Sequence, residues 1–157
     1  MAITNGYCTL ADVKAALRIS DTVDDSLLEQ SIQSASRMID QYCNRYFYSG
    51  SPGEIRYYKA NDGFTCWIDD AQSISSVQTS ATDPLVFDTT WAAEDYQVLP
   101  ANRWANGAYY PITAISASDN LLFPVWADLA LVKITGQFGW ASVPDSIKFA
   151  TIIQASR

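Results

Sequence analysis

DDSLLEQSIQSASRMIDQYC, residues 24–43, is the stretch on which the reading of this chain turns. Its apolar residues Leu28, Ile32, Ala35, Ile39 and Tyr42 recur at three- and four-residue intervals, laying one stripe along an α-helix. Gln30, Gln33, Arg37 and Asp40 are expected to face elsewhere. Asp24, Asp25 and Glu29 place negative charge at the helix's positive end. Upstream, Thr9-Leu10-Ala11-Asp12 has the spacing of a capping box, in which a hydroxyl and an acid satisfy free N–H groups. Leu10, Val13 and Leu17 then repeat at helical spacing, and Ile19-Ser20-Asp21-Thr22-Val23 separates the two helices. Residues 1–49 therefore read as a helical pair.

Downstream the texture changes. Gly50-Ser51-Pro52-Gly53 is a breaker. Glu54 to Ala60 alternates, Asn61-Asp62-Gly63 signals a turn, and Phe64 to Ile68 reads as the returning strand of a hairpin. Further strands are expected at Ser73–Thr79, Tyr96–Leu99, Ile112–Ile115 and Leu131–Phe138. Between them lie a turn at Asp83-Pro84 and a longer loop, residues 100–111, carrying Trp104, Tyr109 and Tyr110. Gly139 to Pro144 ends this β-rich insertion, residues 50–139, and Pro144 suits the start of a last helix, with Asp145 adding favourable charge. Residues 140–157 are that helix. The order helix, helix, sheet, helix defines one α+β domain over residues 1–157, with the N-terminal helical pair and the C-terminal helix packed together. Ile147, Phe149, Ala150, Ile152 and Ile153 spread around much of the last helix. Such a helix needs cover on more than one side, from its own chain or from another subunit.

Charged residues are 17% of the chain against roughly 25% in ordinary domains. Aromatics reach 13%, which suits either an aromatic-rich β core or a protein that hides surface against partners. The net charge is −7, and its ten basic residues are scattered, with no two adjacent. Gripping nucleic acid needs clustered Lys and Arg that release counterions, so this pattern offers DNA no handle. Cys8, Cys43 and Cys66 form no C-x-x-C pair and are odd in number, as expected of reduced thiols in a chain made in the cytoplasm. No signal-peptide pattern and no membrane-length apolar run is visible.

The chain has no histidine, which excludes Ser-His and Cys-His nucleophile systems and imidazole zinc sites. Phosphate cradles of the Walker and dinucleotide types are absent too. Asp69-Asp70 and Glu94-Asp95 can in principle supply the two carboxylates of a glycoside hydrolase, but adjacent acids more often end strands in solvent. Asp21, Asp24 and Asp25 lack the glycine of an EF-hand loop and fit helix capping better. No catalytic residue, metal site or cofactor is expected. Trp104, Tyr109 and Tyr110 leave room for a second reading, a ligand- or carbohydrate-binding β module stacking its ligand on exposed rings.

Three blocks carry a family resemblance. They are Thr9-Leu10 through Leu17-Arg18-Ile19 with Leu27-Leu28 through Ile39-Asp40-Gln41-Tyr42-Cys43-Asn44-Arg45-Tyr46-Phe47; Asp95-Tyr96-Gln97-Val98-Leu99-Pro100; and Val132 to Trp140 followed by Val143-Pro144, Ile147, Ala150 and Ala155-Ser156-Arg157. In this order they resemble the head–tail connector family of tailed bacteriophages. The resemblance implies a structural adaptor of the virion neck, not an enzyme. It implies a homo-oligomeric ring of about twelve subunits beneath the portal protein, extending the DNA channel toward a stopper or tail-completion protein. DNA would pass without specific binding. The family is defined by packing and not by chemistry, so no active-site residue carries over, and the β insertion is large beside its mostly helical members. On this reading the last helix packs inward through Ile147 and Ala150. Its other side, Phe149, Ile152 and Ile153 with Arg157 at the end, meets a neighbouring subunit or the portal, and Trp104, Tyr109 and Tyr110 are further interface candidates.

The charge pattern sets a first prediction. The isolated protein, titrated against fluorescent duplex DNA at physiological salt, gives a flat anisotropy curve into the micromolar range. Tight, salt-sensitive binding would mean that folding assembles a basic patch invisible in the sequence.

Overall fold

In a computed structural model, described at residues 3–83, 86–105, 108–118 and 121–157, the chain forms two compact units. One comprises residues 1–48 and 141–157 and is helical; the other, residues 49–140, is built on β-sheet.

The helical unit holds α1 (Leu10–Leu17), α2 (Asp25–Cys43) and α3 (Asp145–Ala155). The capping box at Thr9 forms: Asp12 N–H donates to Thr9 Oγ1 at 3.1 Å, and Thr9 N–H donates to Asp12 Oδ2 at 2.9 Å. These bonds, helped by Lys148 of α3 3.0 Å away, pull the Asp12 carboxyl down to a pKa of about 2. Arg18 and Asn44 close α1 and α2 in left-handed conformation. Val13, Leu28, Ile32, Ala35 and Ala155 make the core, with Cys8 beside them. Burial pushes the Cys8 thiol up to about 11, so it packs as a small hydrophobe.

The buried row of α2 departs from the expected stripe. Leu28, Ile32 and Ala35 are buried as read, but the row continues through Ser36 and Asp40, not through Ile39 and Tyr42. Ile39 is half-buried and Tyr42 is 92% exposed. The cause is the segment before α1, which lies against the second half of α2. Tyr7 N–H donates to Ser36 Oγ at 3.1 Å, and the Tyr7 hydroxyl donates to Asp40 Oδ1 while accepting from Phe47 N–H at 2.8 Å. Arg37 Nε lies 3.0 Å from Asp40 Oδ2, an ion pair off hydrogen-bond geometry, and its guanidinium lies over the rings of Tyr7 and Tyr48. Burial raises the pKa of Asp40, and burial followed by the Asp40 bond raises that of Tyr7. A polar row is tolerated inside because Ser36 Oγ and Asp40 Oδ1 accept from Tyr7, and Asp40 Oδ2 faces the Arg37 cation.

On α3, Thr151 and Ala155 are buried and Ile147, Lys148 and Ile152 are half-buried. Ala150, expected inside, is exposed. A helix that crosses its neighbours through Thr151 and Ala155 turns Ala150 outward with Phe149.

The β unit contains β1 (Glu54–Tyr58), β2 (Thr65–Thr79), β3 (Thr89–Thr90), β4 (Tyr96–Leu99), β5 (Trp104–Ala105), β6 (Ala108–Tyr109), β7 (Ile112–Ala117) and β8 (Val132–Phe138). The main antiparallel sheet runs β1-β8-β2-β7-β4, with β3 on β2, and β5 with β6 forms a separate ribbon. The expected hairpin of β1 with β2 does not form. The turn is present, with Asn61 and Asp62 N–H both donating to Thr65 O, but β8 lies between the two strands. The two strands expected at 64–68 and 73–79 are one strand, β2. Its first half pairs with β7 and its second with β8, with register shifts between Trp67 and Ala71, between Ala71 and Ser73 and between Ile74 and Ser76. Where β8 passes the bulge, a side chain at Gly136 would meet Ser73 O at 2.3 Å, so only glycine fits. Pro84 of the expected Asp83-Pro84 turn lies outside the described residues.

One sheet face carries the core: Cys66, Val77, Ile115, Val132, Ile134 and Phe138, closed over by Trp91 stacked on Phe123 at 4.5 Å. The Trp91 indole N–H donates to Thr79 Oγ1 at 3.0 Å. Residues 49 and 139 are joined by an antiparallel bridge at the base of the sheet. Gly50 N–H donates to Phe138 O at 2.8 Å, and the amides of Gln72 and Gln137 both reach Ser49 Oγ, at 2.8 and 3.0 Å.

The α2 geometry separates two substitutions that the sequence periodicity treats alike. Ile32→Ala empties a fully buried site and destabilises the protein by roughly 2–5 kcal/mol in a denaturant titration. Tyr42→Ala changes stability by less than about 0.5 kcal/mol.

Candidate interaction surfaces

Three of the four paired carboxylates, Asp69, Asp70 and Asp95, hold structural hydrogen bonds, and Glu94 is exposed. Asp69 accepts from Arg56 at 2.7 Å and from the Tyr58 hydroxyl at 2.9 Å, while Asp70 accepts from the Trp140 indole at 2.7 Å. Asp95 accepts from Ala92 N–H at 2.7 Å and ends a short 3-10 turn, Ala93–Asp95. Asp21 accepts from Val23 N–H at 3.0 Å, and Asp25 pairs with Lys14. Among the described residues no three His, Cys, Asp or Glu side chains cluster as a metal site would need. No helix among them is long and apolar enough to cross a membrane. What these residues offer is surface, and three features stand out.

The first is the β5–β6 ribbon. Trp104 faces Tyr109 across it in register, and Trp104 is 69% exposed. Arg103 anchors the ribbon to β2: its guanidinium stacks over the Tyr109 ring at 4.6 Å and donates to Gln72 O at 2.8 Å and to Tyr110 O at 3.2 Å. Tyr109 and Tyr110 keep roughly 40% of their surface in solvent. The rings read from the sequence are thus brought together on one anchored ribbon, and Arg103 is the residue that the sequence did not mark as their support.

The second feature is the outer face of α3. Phe149 and Ile153, four residues apart, are 64% and 59% exposed, and Arg157 is exposed just past the helix end on the same line. Ile152, a fourth candidate from the sequence, packs instead against the helical core.

The third was not read from the sequence. The solvent face of α2 exposes Leu27, Met38 and Tyr42, and beside them lies an open groove of about 600 Å3 lined by Glu29, Gln30, Gln33, Ser34, Met38 and Gln41, among others. The exposure of Tyr42 follows from the shift of the buried row toward Ser36 and Asp40.

Exposed apolar side chains on rigid elements suit a protein that assembles with others. Residues 7–86 match the model of the phage gp6-like head–tail connector proteins, and the chain belongs to that family. It is therefore a structural head–tail adaptor, a component of the virion neck. In fold the chain is similar to one from the neck of an empty GTA particle, a structure computed with C6 symmetry. The TM-score is 0.63 at 16% sequence identity, over 99% of this chain and 79% of that one. No curated protein matches the chain in sequence.

The ribbon's anchoring is testable by hydrogen exchange. Tyr110 N–H, bonded to Arg103 O at 2.7 Å, reports ribbon opening. A bond from a charged donor contributes roughly 1.5–3 kcal/mol. Arg103→Ala accordingly speeds exchange at Tyr110 by at least about tenfold, and Arg103→Lys, lacking the planar fork, restores little of it.

Proposed function

We propose that this connector assembles as a closed ring of about twelve copies docked beneath the portal protein. The ring extends the DNA channel toward a stopper or tail-completion protein, and the chain acts as one connector domain made of its two units, without catalysing a reaction. The observation that carries this reading is the family match over residues 7–86. The neck chain of similar fold comes from a structure computed with C6 symmetry, with which a ring of twelve is compatible. Closed rings of identical subunits use two different patches on each copy, one meeting the other on its neighbour. The exposed outer faces of α3 and α2 supply two such patches on the helical unit.

The charge distribution supports a passive channel. Residues 49–140 hold ten acids against four bases, whereas the helical unit holds seven against six. A wall with an acid excess repels phosphates and lets the polymer slide. The sugar-binding alternative gains no support from the family match.

In this role the outer face of α3, through Phe149 and Ile153 with Arg157, meets a neighbouring subunit or the portal, and Trp104, Tyr109 and Tyr110 contact another neck component. Phe149→Ser combined with Ile153→Ser leaves a folded, soluble chain with near-native circular dichroism and reduces its incorporation into particles at least tenfold. Normal incorporation of that variant would remove α3 from the interface.

A further inference from the structure

Given a ring, which is the reading above, the helical unit also determines how neighbours fit. The exposed line on α3 is Phe149, Ile153, Arg157, spaced four residues apart. The line along the α2 groove is Met38, Ser34, Gln30, spaced likewise, with Glu29 lining the groove at the end nearer the helix start. Both lines step about 6 Å per four residues, so they can be laid side by side over two helical turns. We infer that the outer face of α3 docks antiparallel into the α2 groove of the next copy of this chain.

The direction comes from charge. The α2 groove is acidic toward the helix start, where Glu29 follows Asp24 and Asp25, and it runs toward Arg45 past the helix end. On α3 the order along the chain is the same, with Asp145 at the start and Arg157 at the end. Antiparallel docking brings Arg157 to the acidic end and opposes the two helix dipoles; parallel docking would bring Asp145 there. Size agrees with charge. Small Ser34, exposed between Met38 and Gln30, leaves a gap for Ile153 to enter, while Phe149 lies along Met38. The amides of Gln30, Gln33 and Gln41, with the Arg37 side chain paired to Asp40 of its own helix, give the apolar contact a polar rim. The two faces are unlike each other, one bearing protruding side chains and the other a groove. A two-fold dimer using one patch twice is thereby disfavoured against a head-to-tail ring.

Cysteine pairs read the contact directly. In a Cys43→Ser background, with Cys8 and Cys66 buried, the variant Ser34→Cys with Ile153→Cys is isolated in assembled necks and oxidised with diamide. A ladder of disulfide-linked multimers from the double variant, and none from either single variant, is the expected result. Dimers from Ile153→Cys alone, or no ladder from necks that contain the double variant, would overturn the inference while leaving the connector role intact. A charge exchange covers the case in which the cysteine variant does not assemble. Arg157→Glu lowers incorporation severalfold and Glu29→Lys in the same chain restores it; absence of rescue overturns the antiparallel contact. Absence of the unaltered chain from purified necks is a different failure, that of the ring reading itself.

Discussion

The architecture depends on the clasp at the base of the sheet. The chain leaves the helical unit after Tyr48 and re-enters it at Ala141, and the Ser49–Gly139 bridge holds those two points together. Closing a loop of that length costs conformational entropy, although the cost grows only slowly with length. The closure is stabilised by several hydrogen bonds converging on the two crossing points. Ser49 Oγ receives two glutamine amides, Gly50 N–H meets Phe138 O, and Asp70 receives Trp140. Gly139 sits at φ 84°, a turn that any side chain would strain, and its N–H donates to Asp70 O. With the ends fixed, α3 is delivered back to α1 and α2, and β8 is placed to be the strand between β1 and β2.

The acids read as possible catalysts acquire their roles from this arrangement. Asp70 lies within the clasp, and Asp69 balances Arg56, whose guanidinium lies over Phe138 at 4.2 Å. Against the desolvation of burial, Glu54 and Asp69 hold Arg56 charged, and burial raises the Tyr58 pKa. A group held this firmly in one state is suited to structure and unsuited to proton transfer near neutral pH. In the helical unit, Asp40 serves Tyr7 in the same manner. Asp40, Asp69 and Asp70 are thus occupied in holding the fold. Such a use of acids suits a protein whose work is to be a joint.

Much of this was written in the sequence, because it rests on local rules. The capping box at Thr9, the helical period of residues 24–43, the breaker at 50–53 and the proline start of α3 each act within a few residues, and each lies where its pattern indicates. The alternation of the strands was legible for the same reason: a strand with one core face must alternate. The sequence also determined what the protein cannot do by histidine chemistry, and the even scatter of its bases.

Partner choice among the strands, and the exact side of each helix, were decided only by the tertiary structure. The turn at 61–63 is local and forms, yet a turn cannot forbid a third strand from entering, and β8 arrives from more than fifty residues downstream to separate β1 from β2. The α2 stripe was displaced by one row because Tyr7, outside the helix, offers Ser36 and Asp40 hydrogen bonds that make their burial favourable. That shift exposes Tyr42, which hydrophobic periodicity by itself would have placed inside. Periodicity reports what a residue prefers on average; a long-range hydrogen bond reports what it has found.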